Sequence, residues 1–198
     1  METLNAYSFN ELSDEAKQVA FYNNSEINVD NWDWYDSTKD DFHTILELIG
    51  VYNIDSNFSG FWSQGDGASF SADYRYEKGC LKAVKQHAPN DKELHSIVEG
   101  IISHQKSNGY LLSCEVSKRG HYCHSNTMNF TWYKNDDGYF DWKNDFIENE
   151  LEQLFMDLAD WYYSRLENEY EYLTGFDAVA EMLEANEIQF LENGNGVI

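Results

Sequence analysis

Apolar positions recur along the chain with two periods, and the switches between them mark out the elements. Ser13 precedes DEAKQVAFYN, where Ala16, Val19 and Ala20 sit at helical spacing. A serine able to accept a free N–H, followed by that spacing, predicts a short helix with those three residues as its inward stripe. Phe42, Ile45, Leu46 and Ile49 repeat the spacing before Gly50, so a second helix is expected over 37–49. From Val51 the period falls towards two. VYNIDSNFSGFWS and ASFSADYRY flank QGDG, and an Asp-Gly pair between aromatic-rich stretches predicts a hairpin with strands near 51–62 and 68–77. GCLKAVKQHA and DKELHSIVEGIISHQKSN return to helical spacing on either side of Pro89, the chain's only proline. YLLSCEVS and HYCHSNTMNFTWY then predict a second hairpin across SKRG.

After the turn NDDG, residues 135–138, Ile147, Leu151, Leu154, Leu158, Trp161, Tyr162 and Leu166 recur every three or four residues, while Glu148, Glu152, Asp157, Asp160 and Glu167 take other faces. That pattern predicts one long amphipathic helix, reaching about 45 Å at the usual rise per residue. Thr174 with Asp177 signals a cap for AVAEMLEAN, EIQFL reads as a short closing strand, and ENGNGVI as a fraying end. The fold class that follows is α+β: a four-stranded antiparallel sheet with packed helices and a long acidic C-terminal amphipathic helix. We expect a single domain over 1–198, comprising an acidic helical part (1–50), a β-β-α-β-β middle (51–134) and a second acidic helical part (135–198).

Composition adds one strong constraint. With 42% hydrophobic residues in 198, the chain can bury a core, yet it carries 36 Asp and Glu against 13 Lys and Arg, a formal charge of −23. Residues 1–60 hold 12 acids and 2 bases, 61–134 hold 7 and 9, and 135–198 hold 17 and 2. Direct binding of nucleic acid or an anionic membrane is disfavoured, because such affinity comes from cations neutralising phosphates. No run of apolar residues suits a membrane span, and the start METLNAYSFNEL lacks a basic, then apolar, leader, so a cytoplasmic location is expected. Cys80, Cys114 and Cys123, an odd number, fit reduced thiols.

The common catalytic and phosphate-binding motifs are missing from the sequence, and no cofactor is implied. His121, Cys123 and His124 are the one dense set of metal-competent residues, with Cys114 on the preceding strand. On an extended strand His121 and His124 point to opposite faces, which disfavours a shared metal; packing explains the cysteines better. Asp40–Asp41 and Asp136–Asp137 read as helix-start and turn chemistry, and Gly65-Asp66-Gly67 as a plain turn. Arg75, Lys78, Lys82, Lys85 and Lys92 form a small basic cluster expected to offset the acidic parts within the fold. Trp32, Trp34 and Trp62 fit equally as core or as exposed anchors.

The acidic helix carries more weight. Concentrating carboxylates costs stability through self-repulsion, and solubility alone needs far fewer of them. Glu148, Glu152, Asp157, Asp160, Glu167, Glu169 and Glu171, with Tyr163 and either Tyr170 or Tyr172, are the expected contact surface for a basic protein. Carboxylates on one helical face approach, within a factor of a few, the line charge of a nucleic-acid duplex.

The segments AYSFNELSDEAKQVAFYN and EYEYLTGFDAVAEMLEANEIQFLENGNGVI resemble the ends of a large family of small phage and prophage proteins often labelled as the antitoxin of a toxin–antitoxin stability system. SGFWSQGDGASFSADYRY and HYCHSNTMNF are similar to that family's SQGDGASF hairpin and H-x-x-H-x-x-T-M strand. The resemblance implies a mobile-element origin and a protein target. Three readings are open: a phage-derived inhibitor of a basic nucleic-acid-handling defence protein, an antitoxin for a cognate toxin, and a small metal-dependent enzyme using His121, Cys123 and His124.

Overall fold

The computed structural model describes residues 5–31, 33–134 and 145–197, apart from the side chains of 145–148. The helices are α1 (Asp14–Asn24), α2 (Asp36–Leu48), α3 (Cys80–His87), α4 (Lys92–Ser107), α5 (Asp145–Leu173) and α6 (Phe176–Ala185). The strands are β1 (Val51–Phe58), β2 (Ala68–Arg75), β3 (Leu112–Lys118) and β4 (Met128–Lys134), in one antiparallel sheet of order β1-β2-β3-β4. This is the α+β class that the periodicities indicate. The chain forms two compact units, a larger one over Ser37–Arg165 and a smaller one joining Met1–Asp36 to Leu166–Ile198, so α5 contributes to both.

In the larger unit, the α2-to-β1 turn depends on Gly50, whose φ is +91° and where an added Cβ would lie 1.9 Å from the Arg75 carbonyl oxygen. The Arg75 N–H donates back to the Gly50 carbonyl at 2.9 Å. β1 and β2 pair from Val51↔Tyr74 to Phe58↔Ala68, with an irregularity after Tyr52 where Asn53 takes a left-handed backbone. Aromatic side chains join sheet to helices. Phe42 of α2 stacks on Tyr162 of α5 at 4.2 Å and meets Phe70 of β2 edge-on at 5.7 Å. Phe155 of α5 lies edge-on to Tyr74 at 5.0 Å and to Trp132 at 5.7 Å. Gln105 of α4 is fully buried; its amide donates to the Tyr74 hydroxyl and the Leu112 carbonyl, and its side-chain oxygen accepts the Leu112 N–H.

Asp91 ties α4 to α5. One carboxylate oxygen caps α4 by accepting the Leu94 N–H at 2.9 Å; the other accepts Trp161 Nε1–H at 3.0 Å and pairs with Arg165 at 2.5 Å. Arg165 also stacks over the Trp161 ring. Asp91→Ala removes a cap and leaves a buried indole N–H without its acceptor, and is expected to cost about 2–3 kcal/mol in urea unfolding. A loss under about 0.5 kcal/mol would show that the cluster contributes little.

In the smaller unit, Phe9, Leu12, Ala16, Ala20, Val179, Leu183 and Phe190 form the core. Ser13 caps α1 by accepting the Ala16 N–H at 3.2 Å, as its type suggests. Val19 does not join the inward stripe: it is 39% exposed, because Ala16 and Ala20, four residues apart, already define the covered side.

Several boundaries also depart from expectation. Both hairpin strands of the first pair end earlier, at Phe58 and Arg75, leaving residues 59–67 as a loop. HYCHSNT is a loop with a 3-10 turn at Ser125–Thr127 rather than strand. Thr174 does not cap α6; its hydroxyl donates back to the Tyr170 carbonyl at 2.7 Å, and Gly175 occupies the cap position. EIQFL makes only isolated bridges, Phe190 pairing with Gly196 and with Tyr7, with which it exchanges hydrogen bonds at 2.8 Å each way. The tail packs instead of fraying, since Gly194 lies against the Ala16 carbonyl so closely that a Cβ would meet it at 2.1 Å.

Candidate interaction surface

Folding gathers the acidic ends of the chain. The two segments of the smaller unit hold 16 Asp and Glu and a single cation, Lys17, for a formal −15 of the chain's −23. Two of these acids have internal work. Glu11 accepts the Ser8 N–H at 2.8 Å, a bond that holds its carboxyl below the usual range, and Glu184 accepts the Asn10 N–H at 2.7 Å. Among the described residues, the ion pairs lie in the larger unit: Lys85–Glu99, His87–Asp41, His104–Glu150, Lys118–Asp55 and Arg165–Asp91. Lys85 of the expected basic cluster is thus matched within its own unit. The smaller unit's carboxylates keep their full field for an outside cation.

The helix residues singled out from sequence divide by face. Asp160 is exposed and Asp157, three residues before it, is half-buried and accepts Gln153 Nε2–H at 2.8 Å; with Glu93, Ser96 and Ile97 of α4 they line a groove in the larger unit. Glu152 is half-buried and lies on another side of the helix from Asp157. Within the smaller unit, Glu171 is exposed, Glu167 is on the same side, and Glu169 is half-buried on the side away from both. The side chain of Glu148 lies outside the described residues, as do Trp32, Asp136 and Asp137.

The two tyrosines serve the fold more than expected. Tyr163 donates its hydroxyl to the Gly60 carbonyl at 2.8 Å with its ring 5.4 Å from Phe61, and Tyr170 packs against Trp34 at 5.7 Å. Tyr172 is the exposed one, at 69%. Helical spacing alone does not tell which of several adjacent tyrosines meets a neighbour.

Trp62, which the sequence left open between core and exposed anchor, is exposed, and so is Tyr122, which the sequence did not single out. Trp62 and Tyr122, both 74% exposed, sit on loops in contact with one another, since Gly67 lies against the Cys123 carbonyl and His124. The Asp66 carboxylate accepts the Trp62 and Ser63 N–H groups at 3.0 and 2.7 Å, so this turn spends its amides internally. Because His121, Cys123 and His124 are in a loop, the alternating-face argument does not apply to them. No group of three or more His, Cys, Asp or Glu suited to a metal exists among the described residues. Cys114 is buried on β3 opposite Trp132, and burial pushes its thiol far up.

Two serine–histidine contacts occur among the described residues, and the longer, Ser125 Oγ to His124 Nδ1 at 3.5 Å, joins chain neighbours. In the shorter, His43 Nε2 lies 2.7 Å from the buried Ser56 hydroxyl, joining α2 to β1. Burial, followed by Lys39, lowers the affinity of the imidazole for a proton. The folded chain therefore takes up this proton at lower pH than the unfolded chain. The ring's contribution is complete at neutral pH and is lost as pH falls through the imidazole range. The His43 ring resonances are expected to titrate below the ordinary histidine value; a midpoint at or above it contradicts the arrangement.

No helix among the described residues is long and apolar enough to cross a membrane. No curated protein and no solved structure matches the chain. Residues 34–175, more than two thirds of the sequence, match the family described as Domain of unknown function (DUF8835), and the chain belongs to that family.

Proposed function

We propose that the protein is a non-enzymatic inhibitor that binds a basic, nucleic-acid-handling protein by charge complementarity, acting in the bacterial cytoplasm on behalf of a phage. The observation that supports this reading best is the smaller unit, with 16 acids to one lysine and no ion pair among its described residues. Such a surface attracts cationic grooves, steers encounter, and offers carboxylates where phosphates would otherwise sit. A second reading, an antitoxin silencing a toxin encoded beside it, rests on the resemblance carried by SQGDGASF and H-x-x-H-x-x-T-M and uses the same physics.

Tagged full-length protein, incubated with lysates of phage-infected and uninfected cells and eluted with stepped salt, tests the proposal. A basic nucleic-acid enzyme released by salt is the expected result, and a toxin from the neighbouring gene would favour the second reading. An empty bait, or a partner indifferent to salt, contradicts both.

A further inference from the structure

Helix α1 turns an apolar patch outward that the smaller unit's core does not use. Tyr22 is 81% exposed, the most exposed large apolar side chain among the described residues, and Val19 stands one turn before it. Together with Gln18, Phe21 and Asn23 they line a shallow groove. Its inner edge is held by Phe21, whose ring lies 5.3 Å from that of Phe176. Exposed carboxylates stand at both ends, Asp14 and Glu15 one turn before Val19, and Glu26 just past the helix end. Glu15, Val19 and Tyr22 share one side of α1, whereas Lys17 lies on the opposite side from Val19.

An exposed aromatic centre rimmed by unpaired carboxylates is suited to an apolar strip flanked by cations. We infer that this groove seats a basic amphipathic helix of the partner protein, with its apolar side on Val19 and Tyr22 and its lysines or arginines on Asp14, Glu15 and Glu26. The charge of the unit selects this occupant. Nucleic acid and anionic membranes are repelled by −15, and a second copy of the chain would bring the same charge against it. A cationic helix satisfies both the field and the patch, since aromatics anchor interface centres and rim charges steer the approach. This inference rests on the charge-complementary reading and names the element that recognises the partner.

The probe is a fluorescent Leu/Lys peptide of about 18 residues with leucines at helical spacing, compared at low salt with a scrambled isomer of the same composition. The native chain is expected to bind the patterned peptide about tenfold tighter than the isomer. In the Val19→Ser/Tyr22→Ser variant that preference disappears while binding of the isomer, far-UV circular dichroism and thermal midpoint stay unchanged, because both side chains are exposed. Tyr22→Phe retains the preference. Equal binding of the two peptides by the native chain, or an undiminished preference in the double variant, overturns the groove and leaves the charge reading standing. Binding of neither peptide overturns both.

Discussion

Phe42→Ala is expected to lower stability by about 3–5 kcal/mol, the largest loss from any single side-chain truncation considered for this fold. Phe42 is fully buried where α2, α5 and the sheet converge, with its ring parallel to Tyr162 at 4.2 Å and an interplanar angle of 4°. Phe70 closes the site edge-on at 5.7 Å, and Trp161 approaches at 6.3 Å. Three rigid neighbours, two on α5 and one on β2, cannot all move in to fill the space left by a ring, so the cavity persists and its cost adds to the lost apolar burial. Against the 5–15 kcal/mol of a typical domain, that loss removes much of the margin. Phe42→Leu is expected to cost about half as much, since it restores volume without the stacked face. Urea unfolding of both variants checks this; a loss below about 1 kcal/mol for the alanine variant would mean that the ring is not enclosed as described.

Reversing Asp30, Glu171, Glu181 and Glu192 to lysine is expected to weaken partner binding about 100-fold at low salt, through roughly 0.7 kcal/mol per reversed charge. All four are exposed and belong to the smaller unit, whose formal charge would fall from −15 to −7. The fold is expected to survive, since none of them takes part in an ion pair or hydrogen bond among the described side chains. The loss should lie mainly in the association rate and should shrink as salt rises, because screening removes the field that native and variant chains do not share. Unchanged affinity at low salt would remove the role assigned to the acidic unit.

Much of this architecture is legible from residue spacing. Phe42, Ile45, Leu46 and Ile49 all reach the core as their period predicts, and α5 follows the apolar repeat from Leu151 to Leu166. Legibility fails where a neighbour decides. Val19 has the right spacing for the core of α1 but the wrong azimuth once Ala16 and Ala20 dock. Tyr163 and Tyr172 are alike in sequence, yet only Tyr163 finds the Gly60 carbonyl, a partner 103 residues away. HYCHSNT has strand-like composition, but His124 caps the turn through its Nδ1, which accepts the Asn126 N–H at 3.1 Å, and the chain leaves the ladder there. The acidic excess is plain in composition. That its first and last segments join in one unit is a long-range fact that no local pattern carries.

In the proposed role the acidic unit occupies a cationic surface meant for nucleic acid. The most direct test is competition: the purified chain is titrated into a complex of the captured partner with fluorescent duplex DNA, and anisotropy reports release. Displacement of the duplex by the native chain is expected, weakened by added salt and lost in the four-residue reversal. DNA that stays bound while the protein joins as a third component, or displacement equally strong with the reversed chain, would contradict that role.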